Sequence, residues 1–206
     1  MLSFWCRPLA LFVGCGCLLS VAPAAAQIPD PSNSVVPACL NVAPNGTLPV
    51  DVHVADESGV PVANASVTLE FTCGNLAACG SESFCCSTFP IRYCESTDGS
   101  GNATFNPAMG GHCCGDEACD VSASVHASVP DVAHPNGVRL VCLKTYEHVG
   151  SPDGTGDLVV NLEDYVLLEE NWVSTTYPCL DLAGCDGFVW FADFYVFSDH
   201  FLTQCE

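Results

Sequence analysis

The chain has 206 residues and a formal net charge of −20, with four Lys and Arg against 24 Asp and Glu. A surface this acidic repels phosphate backbones and anionic headgroups, which excludes nucleic acid and anionic lipid as partners and favours divalent cations. Sixteen cysteines point to an oxidising compartment, where disulfides close loops that a modest core cannot hold.

Residues 1–26 read as a secretion signal: Arg7 supplies the positive charge, an apolar run extends from Leu9 to Ala22, and Ala24-Ala25-Ala26 precedes Gln27 as the cleavage site. The run is short for a membrane span, which needs about 20 apolar residues, and no other stretch qualifies. The expected location is therefore secreted or cell-surface. Removing this segment takes away Cys6, Cys15 and Cys17, leaving 13 cysteines, with Arg92, Arg139 and Lys144 as the remaining basic residues. Residues 27–37 carry Pro29, Pro31 and Pro37 and read as an extended linker.

From residue 38 to 146 the pattern is that of short strands. Val50, Val52 and Val54 alternate with Asp51 and His53, Asp56-Glu-Ser-Gly59 turns the chain back, and Val67, Leu69 and Phe71 alternate with Thr68 and Glu70. Val121, Ala123, Val125, Ala127 and Val129 repeat the alternation, so each strand buries one face. Strands separated by Gly, Pro and Asn turns predict an antiparallel sandwich. The phrases from Val54 to Leu69 and from Ser96 to Phe105 resemble the strand-turn phrases of bacterial immunoglobulin-like domains of the invasin type, in which such domains act as spacers or adhesive modules.

Ten cysteines fall in this region, from Cys39 to Cys142, an even number able to pair internally. The cluster His112-Cys113-Cys114 with Cys119 has the donor types of a zinc site, but no pair of Cys-x-x-Cys knuckles is present and disulfides are the expected state. No nucleophile elbow, phosphate-gripping glycine loop or metalloprotease motif occurs, so the chain reads as non-enzymatic, with no small-molecule substrate identified. The competing readings are a structural protein stabilised by its ion and, more distantly, a small carbohydrate-active or zinc enzyme.

After a short connection over 147–152, residues 147–206 form a second module. Asp153, Thr155, Asp157, Asn161 and Asp164 stand at relative positions 1, 3, 5, 9 and 12 of a loop, and Val159 at position 7 needs only its backbone carbonyl. That is the spacing with which a twelve-residue loop wraps calcium. The register returns at Asp186, Phe188 and Asp193, with Asp181 one residue early and able to reach the ion if the loop bulges. Downstream of each loop Tyr165, Leu168 and Trp172, and again Phe194, Phe197 and Phe201, share one face of a helix. Gly150 and Pro152 rule out a helix entering the first loop. Leu158 occupies position 6, where a left-handed turn normally requires glycine. Among the tail cysteines, Cys179 and Cys205 bracket the second unit and are placed to tie its ends, leaving Cys185 as an odd thiol.

A duplicated calcium loop with only the exiting helix resembles a type I dockerin module over roughly the last quarter of the chain. The resemblance implies calcium as cofactor and docking to a cohesin-like protein on a scaffold or surface, often in polysaccharide-degrading assemblies. It also implies partner-reading positions just before each helix, which here hold Leu162-Glu163 and Phe191-Ala192. The expected fold is thus mainly β with a small α module: an antiparallel Ig-like β-sandwich followed by a two-helix, dockerin-like calcium-loop module.

Overall fold

A computed structural model describes residues 27–73, 75–79, 84–86, 90–111, 113–114, 123–131 and 137–205; segment 1–26, expected to be a secretion signal, and most of the His112–Cys119 cluster lie outside them. The described chain is mainly β with two short helices. In chain order the strands are β1 (Leu40–Asn41), β2 (Val50–His53), β3 (Ser66–Phe71), β4 (Ala77–Ala78), β5 (Phe84–Cys86), β6 (Ile91–Ser96), β7 (Asn102–Phe105), β8 (Met109–Gly110), β9 (Cys113–Cys114), β10 (Ala123–Asp131), β11 (Gly137–Tyr146) and β12 (His148–Gly150). Helices α1 (Leu162–Glu170) and α2 (Phe191–Asp199) follow, separated by a single 3-10 turn at Pro178–Leu180.

The largest sheet is antiparallel in the order β11-β10-β3-β6-β5. The alternation read from the sequence sets its faces: Val67, Leu69 and Phe71 of β3, and Ala123, Val125 and Ala127 of β10, are fully buried on one side. The antiparallel pair β2–β7 contributes Val50, Val52, Ala103 and Phe105 to the same core, so two β layers enclose it. With no tryptophan there, Phe71 and Tyr93 meet edge to face with centroids 6.1 Å apart.

The turns behave as their residues dictate. Asp56 Oδ1 accepts the backbone N–H groups of Ser58 and Val60, and Asp98 Oδ1 accepts those of Ser100 and Asn102. Gly101 has φ +78°, and a Cβ there would lie 2.5 Å from Val54 O, so no other residue fits this turn.

Two segments expected to be connections are instead paired. The proline-bearing lead-in lies along β2, where Val35 and His53 exchange backbone hydrogen bonds at 2.8 Å and Asp30 N–H donates to Ala55 O. The open edge of β2 leaves donors and acceptors that need partners, and the lead-in supplies them. Beyond β11, β12 runs parallel to β1 and antiparallel to β9, in a three-stranded sheet that joins the β body to the tail. None of the described helices is long and apolar enough to cross a membrane.

The cysteine pairing differs from the expectation. Cys39 bonds Cys185 and Cys79 bonds Cys205, so the β cysteines do not all pair among themselves and Cys185 is not an odd thiol. Cys73, Cys94 and Cys179 are also disulfide-bonded, and Cys142 is free and exposed. The reason is spatial: β12 carries the chain back beside β1, which sets the second loop against Cys39 across 146 residues of sequence. These disulfides, with no described spanning helix, are compatible with an exported protein.

Candidate metal centre

The tail is two loop-helix units offset by 29 residues, and the offset shows in backbone geometry as well as in sequence. Val160 N–H donates to Thr203 O and Leu202 N–H to Val160 O. In the other unit, Val173 N–H donates to Val189 O and Val189 N–H to Ser174 O. Each loop therefore pairs with the residues that follow the opposite helix. Leu168 and Phe197, the middle residues of the two predicted stripes, are fully buried in a core with Val160, Leu180, Leu182 and Val189. Tyr165 and Phe201, at the stripe ends, remain more than a third exposed.

In the first loop the structure brings Asp153, Asp157 and Asp164 together, one carboxylate oxygen of each lying within 4.8 Å of the others. Asp153 and Asp164 have no solvent exposure, while Asp157 stands at the surface. Three negative charges so close repel one another in a half-buried setting, and a divalent cation at their centre removes the repulsion. This is the observed group of carboxylates, among the described residues, that can hold a metal ion.

The backbone is arranged to hold those carboxylates. Asp153 accepts from Gly156 N–H through Oδ1 and from Leu158 N–H and Gly111 N–H through Oδ2, at 2.8 to 3.0 Å. Asp164 accepts from the N–H and hydroxyl of Thr155 and from Asn161 N–H. That last bond completes a capping box, since Asn161 Oδ1 accepts from Glu163 N–H at the start of α1. Asp157 Oδ2 and Val159 O both accept from the Asn161 amide. Thr155 and Asn161 therefore act here by orienting carboxylates and capping the helix. Leu158 takes φ +70°, the left-handed conformation its position demands, at a cost of roughly 1 to 2 kcal/mol.

The second loop reaches a similar frame by a different count. Gly187 N–H donates to Asp181 and Ala183 N–H to Asp193, matching Leu158 to Asp153 and Thr155 to Asp164. One extra residue is absorbed at Gly184-Cys185, both left-handed, and this lets Asp181 stand in for Asp153. Asp193 is fully buried, caps α2 through Trp190 N–H, and lies close enough to Asp181 for their charges to interact. Asp181 Oδ1 is buried without a hydrogen-bond partner, which is costly unless something positive meets it. Asp186 is exposed and accepts from Phe188 N–H, and Ala183 and Trp190 bring no side-chain oxygen. This donor set is poorer than that of the first loop. The predicted partner-reading residues Leu162, Glu163, Phe191 and Ala192 are all exposed at the helix starts.

Burial pushes the Asp153 carboxyl above its usual range, the Gly111 N–H opposes this, and the charge of Asp164 adds to it. Asp181 is raised likewise, by burial first and then, against its bond from Gly187, by the charges of Asp193 and Asp186. A carboxyl raised in the folded state stabilises the fold below its unfolded pKa and loses that contribution as pH rises through the folded value. In chelator, melting temperature is thus expected to fall as pH climbs from about 4, whereas with a divalent cation, which competes with the proton, it is expected to rise over the same range. Thermal melts in the two media check the opposite signs.

Sequence reasoning missed the contribution of the β body. Gly111 belongs to the segment after β8, and the only sequence signal was a glycine pair at 110 and 111. A Cβ on Gly110 would meet Asp153 Oδ2 and Leu158 Cδ2 at 2.7 Å. Gly110→Ala is therefore expected to weaken divalent-cation binding by about 10-fold, the order seen when a ligand's support is disturbed, although residue 110 carries no donor oxygen. Calorimetric titration measures the change.

No family model matches the chain, and neither a curated protein nor a solved structure matches it.

Proposed function

We propose that this is an exported, non-enzymatic attachment or assembly protein whose tail binds calcium and docks, in the manner of a dockerin, to a cohesin-type partner on a surface or scaffold. Polysaccharide degradation is the setting that such docking implies. In this reading the β body is an Ig-like spacer. The observation that carries it is the convergence of Asp153, Asp157 and Asp164 on one point. Hard carboxylate oxygens on a flexible loop suit calcium, with Val159 O and water completing its shell. Asp181, Asp186, Phe188 O and Asp193 form a second, weaker site, supported by the orphaned Asp181 oxygen. The exposed pairs Leu162 and Phe191, and Val166 and Tyr195, repeat at the 29-residue offset and give the two helices equivalent outer faces.

The test has two stages. Calorimetric titration with calcium should show binding at micromolar to millimolar concentration. Immobilised protein should then retain purified cohesin domains in calcium and release them in chelator. Heat without capture would leave a second reading, in which calcium only stabilises the fold. That reading has its own support, because Asp153 accepts from Gly111 and two disulfides fasten the second loop and the residues after α2 to the β body. No heat at any calcium concentration would remove both.

A further inference from the structure

Between α1 and α2 lies an open cleft of about 400 Å³, lined by Tyr165, Leu168, Glu169, Trp172, Phe191 and Phe194. Four of the six are aromatic. Trp172 and Phe191 meet edge to face at 5.1 Å, and Tyr165 and Phe194 do so at 6.3 Å, so the rings form a walled recess rather than a flat patch. Fully buried Leu168 also lines it. The one charged lining group is Glu169, which is exposed and whose carboxylate has neither a hydrogen bond nor an ion pair among the described residues. No lysine or arginine follows Lys144, so the tail's own sequence brings no permanently charged cation to that carboxylate.

We infer that this cleft receives an arginine side chain presented by the protein that docks on the tail; the identity of the donor as a docking partner rests on the function proposed above. The chemistry selects the cation. Aromatic faces attract a cation through their quadrupole, and a free carboxylate at the same recess supplies the opposite charge. A guanidinium stacks flat on a ring while its fork of N–H donors meets a carboxylate, which an ammonium cannot do. An aliphatic side chain would fill the recess and leave Glu169 partly desolvated without a partner, an arrangement that costs free energy. Calcium and arginine thus act at different places: the ion holds the two loops and the helices they start, and the cation reads the aromatic recess between those helices.

The probe is N-acetylarginine amide, titrated into the calcium-loaded full chain while the Trp172 indole resonance is followed, with Trp172→Phe to assign it. The neutral isostere N-acetylcitrulline amide is the control. Saturable movement of the Trp172 signal is expected, with citrulline binding at least about 5-fold more weakly, the scale of one cation–π contact. Glu169→Gln is expected to weaken arginine binding by about 10-fold while calcium affinity stays within about 2-fold, which shows that the fold is intact. Equal binding of citrulline, an unchanged affinity in Glu169→Gln, or no movement at Trp172 would each overturn the inference. Arginine binding in a protein that captures no cohesin domain would support the cleft and remove the docking reading. Cohesin capture with a Trp172 signal indifferent to arginine would do the reverse.

Discussion

Asp164→Asn is expected to lower calcium affinity at the first loop by about 100-fold or more, because one of three converging charges is lost from the ion's immediate shell. The substitution also strikes the backbone. The Asp164 carboxylate accepts two bonds from Thr155 on one oxygen and one from Asn161 on the other, and an amide can accept on one side only. Stability in chelator should therefore fall as well, by about 1 to 2 kcal/mol for the unsatisfied donors and the lost cap. Asp157→Asn separates the two effects. Asp157 is exposed and its hydrogen bonds are local, so its affinity loss should come with little loss of stability in chelator. Calorimetry and thermal melts on both variants supply the comparison. Unchanged calcium affinity in Asp157→Asn and Asp164→Asn alike would mean that the ion, if any, binds elsewhere.

Removing the two cross-module disulfides should have the largest effect on stability. Cys39–Cys185 and Cys79–Cys205 close loops of 146 and 126 residues, and restraining loops of that length stabilises a fold by about 2 to 5 kcal/mol each. Replacing both partners of one bridge by serine should lower the melting temperature by roughly 4 to 20 °C, given about 2 to 4 °C per kcal/mol for a chain of this size. Replacing all four should make the tail separately cleavable by protease while the β body persists. A melting temperature unmoved by either pair would show that the non-covalent contacts alone hold the tail in place.

Those non-covalent contacts are themselves specific. Asn41 Nδ2 donates to Leu182 O and Val42 N–H to Gly150 O, from the segment that also carries Cys39. Near the other bridge, Cys205 N–H donates to Leu158 O in the first acidic loop. His200 bonds Val196 O through Nδ1 and meets Thr47 Oγ1 at 2.8 Å, which links α2 directly to the loop before β2. The second loop is thus held to the β body by the Cys185 bridge and the Asn41 bond, and the first by the Gly111 bond to Asp153 and, through Leu158 O, by the bridged Cys205.

The first loop was legible in the sequence because its polar side chains are local: five oxygen-bearing residues within twelve announce themselves by spacing, three of their carboxylates converge, and Leu158 sits in the left-handed conformation that its position requires. The second loop was legible in part, since Asp181 does reach the place of Asp153 by absorbing one residue at Gly184-Cys185. The alternating runs of β2, β3 and β10 gave their buried faces directly. What could not be read was whatever depends on contacts distant along the chain. Gly111 reaching Asp153, β12 pairing with β1, and Cys39 meeting Cys185 leave no local pattern, because composition near each residue is the same whether or not the chain returns to it. Val35 pairing with His53 was hidden for the same reason behind a proline-bearing stretch that looked like a spacer.

The bridge from Cys39 to Cys185 alters how the molecule yields to a pull. Tension applied between residue 27 and the chain's far end passes through sulfur at Cys39 and emerges at Cys185, so the 145 residues between them lie off the shortest covalent path. At roughly 3.4 Å per extended residue, about 500 Å of polypeptide is kept out of the stretched path. A body tethered by this tail would give way by only a short length before covalent bonds took the strain, and its β layers would stay folded under drag.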